Sequence, residues 1–143
     1  MSSGFVHLHT HSSYSPMWGI PTLEALCQAA RTQGQDRLAL TDTNGLYGAI
    51  RFLEVAKHEG LKPILGAELV HKAHRAVLLA KTPAGYANLC RLLSARHEES
   101  TFDFIAAVAR YRAGLIILSD DLSALRTWRK DSPKDVYVEL TPG

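Results

Sequence analysis

Short apolar runs alternate with stretches of helical period along this chain, and that alternation constrains the fold more than any other feature. Phe5–His9 reads as a first strand, and Thr22–Gln33 as a helix placing Leu23, Leu26, Cys27 and Ala30 on one face and stopping before Gly34. Arg37–Thr41 is a second strand. Tyr47–His58 is a helix with Ile50, Leu53 and Val55 inward, ended by Gly60. Lys62–Gly66 and Ala76–Ala80 are further strands. Thr82 then caps a helix over Ala84–Ser94, with Pro83 at its first position. A helix over Phe102–Arg110, a strand over Gly114–Leu118, a helix over Leu122–Arg129 and a strand over Val136–Leu140 complete the series. Strands alternating with helices call for a largely parallel sheet, open or closed into a barrel: an α/β fold.

Chemistry concentrates in the run FVHLHTHSSY, where His7, His9 and His11 occupy every second position. Alternate residues of an extended chain share a face, so these imidazoles point the same way. Neutral imidazole is the commonest metal ligand. Carboxylates join it at the ends of the predicted strands: Asp42 after the second, Glu68 after the third, and Asp120 and Asp121 after the run LIILS. Ligands of α/β folds gather at the carboxyl ends of parallel strands. Asp42 and Asp120 also suit helix N-caps, a reading that explains neither the histidines nor Glu68. A mixed imidazole and carboxylate set suits zinc, manganese or iron and the hydrolysis of phosphate esters.

The remaining polar features read as ordinary surface. His58 ends a helix, where a cation favours the dipole. His71 and His74 sit in VHKAHRA, a turn between strands, with His74 within reach of the cluster, and His7 fits the floor of a barrel. Arg126, Arg129 and Lys130 form a solvated helix face around one core aromatic, Trp128. A net charge of +2 over 143 residues leaves no nucleic-acid footprint, although residues 71–143 are mildly basic. Cys27 and Cys90 stand apart inside helical patterns as core thiols of a reducing compartment. No apolar run approaches a membrane span, and no secretory signal opens the chain, so the cytoplasm is expected.

Six runs in order, FVHLHTHSSYS, ALTDTNGLYGAIRF, KPILGAEL, AVLLAKTPAGYANLCRLLS, GLIILS and VYVEL, resemble the start of the PHP (polymerase and histidinol phosphatase) domain at the N-terminus of bacterial DNA polymerase III alpha subunits. GAEL and GYANLCRLLSARH lean toward the error-prone branch. The resemblance covers residues 5–143. It implies a distorted (β/α) barrel resembling a TIM barrel, with metals at the carboxyl ends of its strands. His9 and His11 match the family's H-x-H pair, Glu68 its glutamate after the third strand, and His97 a later ligand histidine.

Three positions depart from the family pattern. Trp18 replaces an aspartate-type ligand, Thr43 replaces the histidine of a T-D-H motif, and Asp121 stands where cysteine is usual, still able to hold a hard ion. Two lost ligands undermine a multi-metal hydrolytic centre, so the expectation is at most one Zn²⁺ or Mn²⁺ among His9, His11, Glu68, Asp121 and His97. No residue is assigned a catalytic role.

The resemblance leaves two functions open. One is a scaffold domain of a replicative or repair polymerase, with DNA reached through the rest of the polymerase and other subunits as partners. The other is a metal-dependent phosphoesterase or 3′–5′ proofreading exonuclease. The polymerase-like runs GLYGAIRF and GYANLCRLL argue against a free-standing histidinol-phosphate type phosphatase. A closed barrel of this type takes roughly 250 residues. Residues 1–143 are therefore expected to be the N-terminal part of the domain, with the barrel incomplete, one sheet edge open and the polymerase region absent.

Overall fold

The computed structural model describes residues 4–16 and 20–141. Its elements are α1 (Leu23–Thr32), β1 (Arg37–Leu40), α2 (Ala49–His58), β2 (Lys62–His71), β3 (His74–Ala80), α3 (Pro83–Glu98), α4 (Phe104–Tyr111), β4 (Leu115–Ser119), α5 (Leu122–Asp131) and β5 (Val136–Val138). Hydrogen-bonded strands follow the order β1-β2-β3-β4-β5. The chain forms two compact units, Met1–Ala67 and Glu68–Gly143, with the boundary inside β2.

In the first unit, α1 starts where Thr22 Oγ1 accepts from the Ala25 amide at 3.1 Å, and ends ahead of Gly34, whose φ of 75° suits glycine. Leu23, Cys27 and Ala30 of α1 pack with Leu38 and Leu40 of β1, and with Phe52, Val55 and Ala56 of α2. β1 pairs parallel with the start of β2, Arg37 opposite Lys62 and Leu40 opposite Leu65. The inward face of α2 differs from expectation. Ala49, Phe52, Val55 and Ala56 are buried, whereas Ile50 and Leu53 are 76% and 40% exposed. Turning the helix this way buries the Phe52 ring, a larger apolar surface than either aliphatic side chain.

The expected first strand over Phe5–His9 is not formed: residues 5–8 are irregular and His9 sits in a bend. The carbonyls of His7 and Thr10 accept from the amides of Ala39 and Thr41 at 3.1 and 2.9 Å. Three residues of one segment thus span two of the other, and the extra residue breaks regular pairing as a bulge does. His7, expected on a barrel floor, is exposed and meets Phe5 edge-on with ring centroids 4.8 Å apart.

The second unit departs from a parallel sheet. β3 pairs antiparallel with β4, Val77 opposite Leu118, and β4 pairs parallel with β5, Ile117 opposite Val136. β2 and β3 are neighbours joined by only Lys72 and Ala73. A parallel pair needs a crossover of a dozen or more residues, so a two-residue link imposes a hairpin. Lys72 takes the left-handed conformation, φ 55°, that such a turn demands. The α/β class holds, with a mixed sheet in place of a largely parallel one. β2 also runs past the expected Gly66, which puts Glu68 and His71 inside a strand, and His74 opens β3.

Thr82 caps α3 as expected, its Oγ1 accepting from the Gly85 amide at 3.0 Å, with Pro83 at the first position. Leu89 and Leu92 of α3, Phe104 and Val108 of α4, and Trp128 of α5 are fully buried, with Val77 and Leu78 of β3 and Ile117 of β4. Trp128 donates Nε1–H to the Ile105 carbonyl at 3.0 Å. The half-buried Arg112 binds the carbonyls of Trp128, Ser132 and Lys134 at 2.8 to 2.9 Å, holding the C-terminal end of α5.

Candidate metal centre

His9, His11 and Glu68 each present one ligand atom within 4.8 Å of the others. His9 and His11 lie half-buried on the irregular segment beside β1, their rings edge to face at a centroid separation of 5.1 Å. Glu68 is 4% exposed and follows Ala67 directly in the unbroken strand β2, whose start is fixed to β1 by register. Two imidazoles and a carboxylate form a donor set used by mononuclear zinc sites, and donors around one Zn²⁺ at roughly 2.1 Å lie roughly 3.4 Å apart. The ligand atoms, all within 4.8 Å of one another, are near that spacing, and the donor types fit a single ion.

The residues between and after the two histidines tie their segment to β1 and to the turn that follows it. Thr10 donates its amide to Thr41 Oγ1 at 2.9 Å and its hydroxyl to the Ala39 carbonyl, while Thr41 Oγ1 donates to the Thr10 carbonyl at 3.1 Å. Asp42, only 3% exposed, accepts from the Ser12 amide at 2.7 Å, the Ser12 hydroxyl at 2.8 Å and the Ser15 hydroxyl at 2.6 Å. Ser15 Oγ in turn accepts from the Thr43 amide at 3.0 Å. Asp42 is therefore no helix cap; Gly48 fills that place for α2. Sequence reasoning missed Thr10, Ser12 and Ser15. Their signal is the run of short hydroxyl side chains that interleaves and follows the histidines.

The other expected ligands have settings of their own. Asp121 is the N-cap of α5, accepting from the amides of Ser123 and Ala124 at 3.1 Å, and it meets His74 Nδ1 at 2.5 Å. Burial pushes the Asp121 carboxyl up, but the His74 ring, the Ala124 amide and the Ser123 hydroxyl outweigh it and hold it below its usual value. Asp120, expected to be the cap, instead pairs with Arg75 at 2.7 Å. His97 is exposed in the last turn of α3. Trp18 lies outside the described residues. Among the described residues, the group able to hold an ion is His9, His11 and Glu68.

Fold and site together define a mixed α/β module carrying a His–His–Glu group of a composition that could hold a metal ion. Residues 7–138 match the family model of the PHP domain, and the chain belongs to that family. It is 47% identical over 94 residues to an error-prone DNA polymerase of Symbiobacterium thermophilum, covering 65% of this chain and 9% of that protein. It is 35% identical over 140 residues to a DNA polymerase III subunit alpha of Treponema pallidum, covering 83% and 12%. The chain thus spans about a tenth of the length of these relatives.

Two solved structures share the fold. A two-domain protein from Bacteroides vulgatus, containing a predicted PHP-like metal-dependent phosphoesterase, superposes with a TM-score of 0.58 at 14% identity over 90% of this chain and 37% of that one. A candidate metal-dependent phosphoesterase from Bifidobacterium adolescentis gives 0.51 at 20% identity over 66% and 34%.

Proposed function

We propose that the chain serves as the N-terminal PHP region of a bacterial DNA polymerase III alpha-type polymerase, acting chiefly as a scaffold with one Zn²⁺ or Mn²⁺ on His9, His11 and Glu68. Residues 1–143 make the N-terminal part of that domain in this reading, and polymerisation belongs to the longer polypeptide. DNA is then reached through the rest of the polymerase, other polymerase or repair subunits are the partners, and the setting is the cytoplasm. Among the described residues no helix is long and apolar enough to cross a membrane.

One observation carries the scaffold reading: the group able to hold an ion has three ligands, and Asp121 is already committed to His74 and to the start of α5. Bound there, one ion supplies Lewis acidity and an acidified water. Clamping both the attacking and the leaving oxygens of a phosphodiester takes two ions roughly 4 Å apart. Asp121 in its present bonds adds nothing to a second ion, and Thr43 offers only a hydroxyl where the family pattern has an imidazole.

The test is metal analysis of the purified chain together with a 3′-end-labelled DNA substrate. At most one ion per chain and no released nucleotide are expected. Metal-dependent release that His9→Ala abolishes would overturn the scaffold reading.

A further inference from the structure

The geometry points to Asp42 as a positioning residue of the His9–His11 pair, acting through Ser12 and Ser15; this rests on the metal-site reading above. The segment bearing the histidines has no strand ladder of its own. The carbonyls of His7 and Thr10 accept from the amides of Ala39 in β1 and Thr41 just after it, three residues of one segment against two of the other. The residues that alternate with the ligands add side-chain bonds to this attachment. Thr10, between His9 and His11, is bonded to Ala39 and Thr41 through its amide, carbonyl and hydroxyl. Ser12, directly after His11, gives both its amide and its hydroxyl to Asp42.

Asp42 also collects the Ser15 hydroxyl, which closes the turn, since the Ser15 amide donates to the Ser12 carbonyl at 3.0 Å. A carboxylate at 3% exposure that accepts three donors is a stiff anchor, because such charge-assisted bonds are short and strong. It ligates nothing itself. It sets where the backbone after His11 runs, and so where the two imidazoles face Glu68. The role assigned to Asp42 is that of an outer-shell group, whose loss typically costs 10- to 100-fold in metal affinity.

The experiment uses the whole chain and Zn²⁺ alone, read by competition with a chromophoric chelator, with the thermal midpoint of the metal-free protein measured in parallel. Asp42→Ala should raise the Kd for Zn²⁺ about 10- to 100-fold. Asp42→Asn, which keeps one acceptor oxygen for the Ser12 amide, should recover most of it. Ser12→Ala combined with Ser15→Ala leaves Asp42 the Ser12 amide, so its Kd should fall between, with a lowered metal-free midpoint. A folded Asp42→Ala chain with wild-type Kd overturns the inference. If that variant does not fold, a wild-type Kd in the double serine variant does so.

Ring ¹H–¹⁵N spectra of the histidines without metal supply a second readout. The His9 and His11 signals should shift and broaden in Asp42→Ala while those of His58 and His97 stay in place. If wild type binds no Zn²⁺, the metal reading fails by itself, and unmoved His9 and His11 signals would then refute the positioning role separately.

Discussion

His74 Nδ1 lies 2.5 Å from Asp121 Oδ2, and the same imidazole stacks on Phe104 with ring centroids 5.3 Å apart and planes 14° off parallel. The contact joins the first residue of β3 to the cap of α5. A carboxylate so engaged is a structural element first.

Asp121 makes stability depend on pH in a definite direction. Burial pushes its carboxyl up, and the His74, Ala124 and Ser123 contacts outweigh that, so its folded pKa lies below the unfolded one. A depressed carboxyl contributes stability above the unfolded value, near roughly 3.9, and loses it as pH falls through the folded value. Asp121→Asn keeps the capping oxygen but drops the charge. Urea melts should show it less stable than wild type at pH 7 by about 1.5 to 3 kcal/mol, the order of one charge-assisted bond. The gap should narrow as pH falls below the unfolded value and through the lower folded one. A gap that keeps its size over that range would refute this account.

Gly85 and Gly114 meet back to back at the start of α3. A Cβ on Gly85 would overlap the Gly114 carbonyl, and one on Gly114 would meet the Thr82 hydroxyl and come within 2.7 Å of the Gly85 amide nitrogen. Gly114 also holds φ at 76°. Gly85→Ala should therefore cost about 2 kcal/mol or more, since the obstacle is backbone that cannot rotate away. Gly114→Ala should cost at least as much, adding left-handed strain of about 1 kcal/mol. Chemical denaturation decides it, and values within about 0.5 kcal/mol of wild type would mean that the backbones do not approach this closely.

The two thiols should separate in labelling experiments. Cys27 is 0% exposed, and burial, with Glu59 and Glu24 nearby, pushes its thiol up to about 11. The thiolate is the reacting form, so at pH 8 only about one Cys27 in a thousand is in that state. Labelling with an aromatic disulfide at pH 8 should modify the half-buried Cys90 first and reach Cys27 on the timescale of unfolding. Equal rates at both thiols in the native chain would contradict the packing of α1.

Sequence patterns located most elements because local chemistry decides them. Thr22 and Thr82-Pro83 start α1 and α3, and Gly34 and Gly60, at φ 75° and 72°, follow the ends of α1 and α2. The face of α2 was ambiguous, since Ile50 and Leu53 form one apolar stripe and Phe52 and Val55 another, and only packing against α1 and β1 chooses. The β2–β3 hairpin carries no Asn-Gly or Asp-Gly signal, because Lys72 supplies the left-handed turn. Glu68 and His71 then read as connection although they lie in a strand. His9, His11 and Glu68 were legible as donors from residue type and family pattern. The hold of Asp42 on Ser12 and Ser15 was not, since it joins residues 27 to 30 positions apart that no local pattern pairs.

Metal occupancy should follow the ligand count. Glu68 is the sole carboxylate of the group, so Glu68→Gln removes charge while keeping shape. An amide oxygen is a weaker donor than a carboxylate, and the Kd for Zn²⁺ should rise at least 10-fold while the metal-free fold survives. Thr43 lies where the resemblance calls for an imidazole, one residue beyond the anchor Asp42, and its amide is already tied to Ser15. Thr43→His leaves that backbone bond in place and adds a donor. It should tighten Zn²⁺ binding, because a fourth protein ligand takes a position otherwise left to water. Titration of the wild type, Glu68→Gln and Thr43→His with the same chelator orders the three. Should Thr43→His bind no tighter than wild type, with its fold intact, the position assigned to that ligand is wrong; should Glu68→Gln bind as tightly as wild type, the ion does not sit on the His9, His11 and Glu68 group.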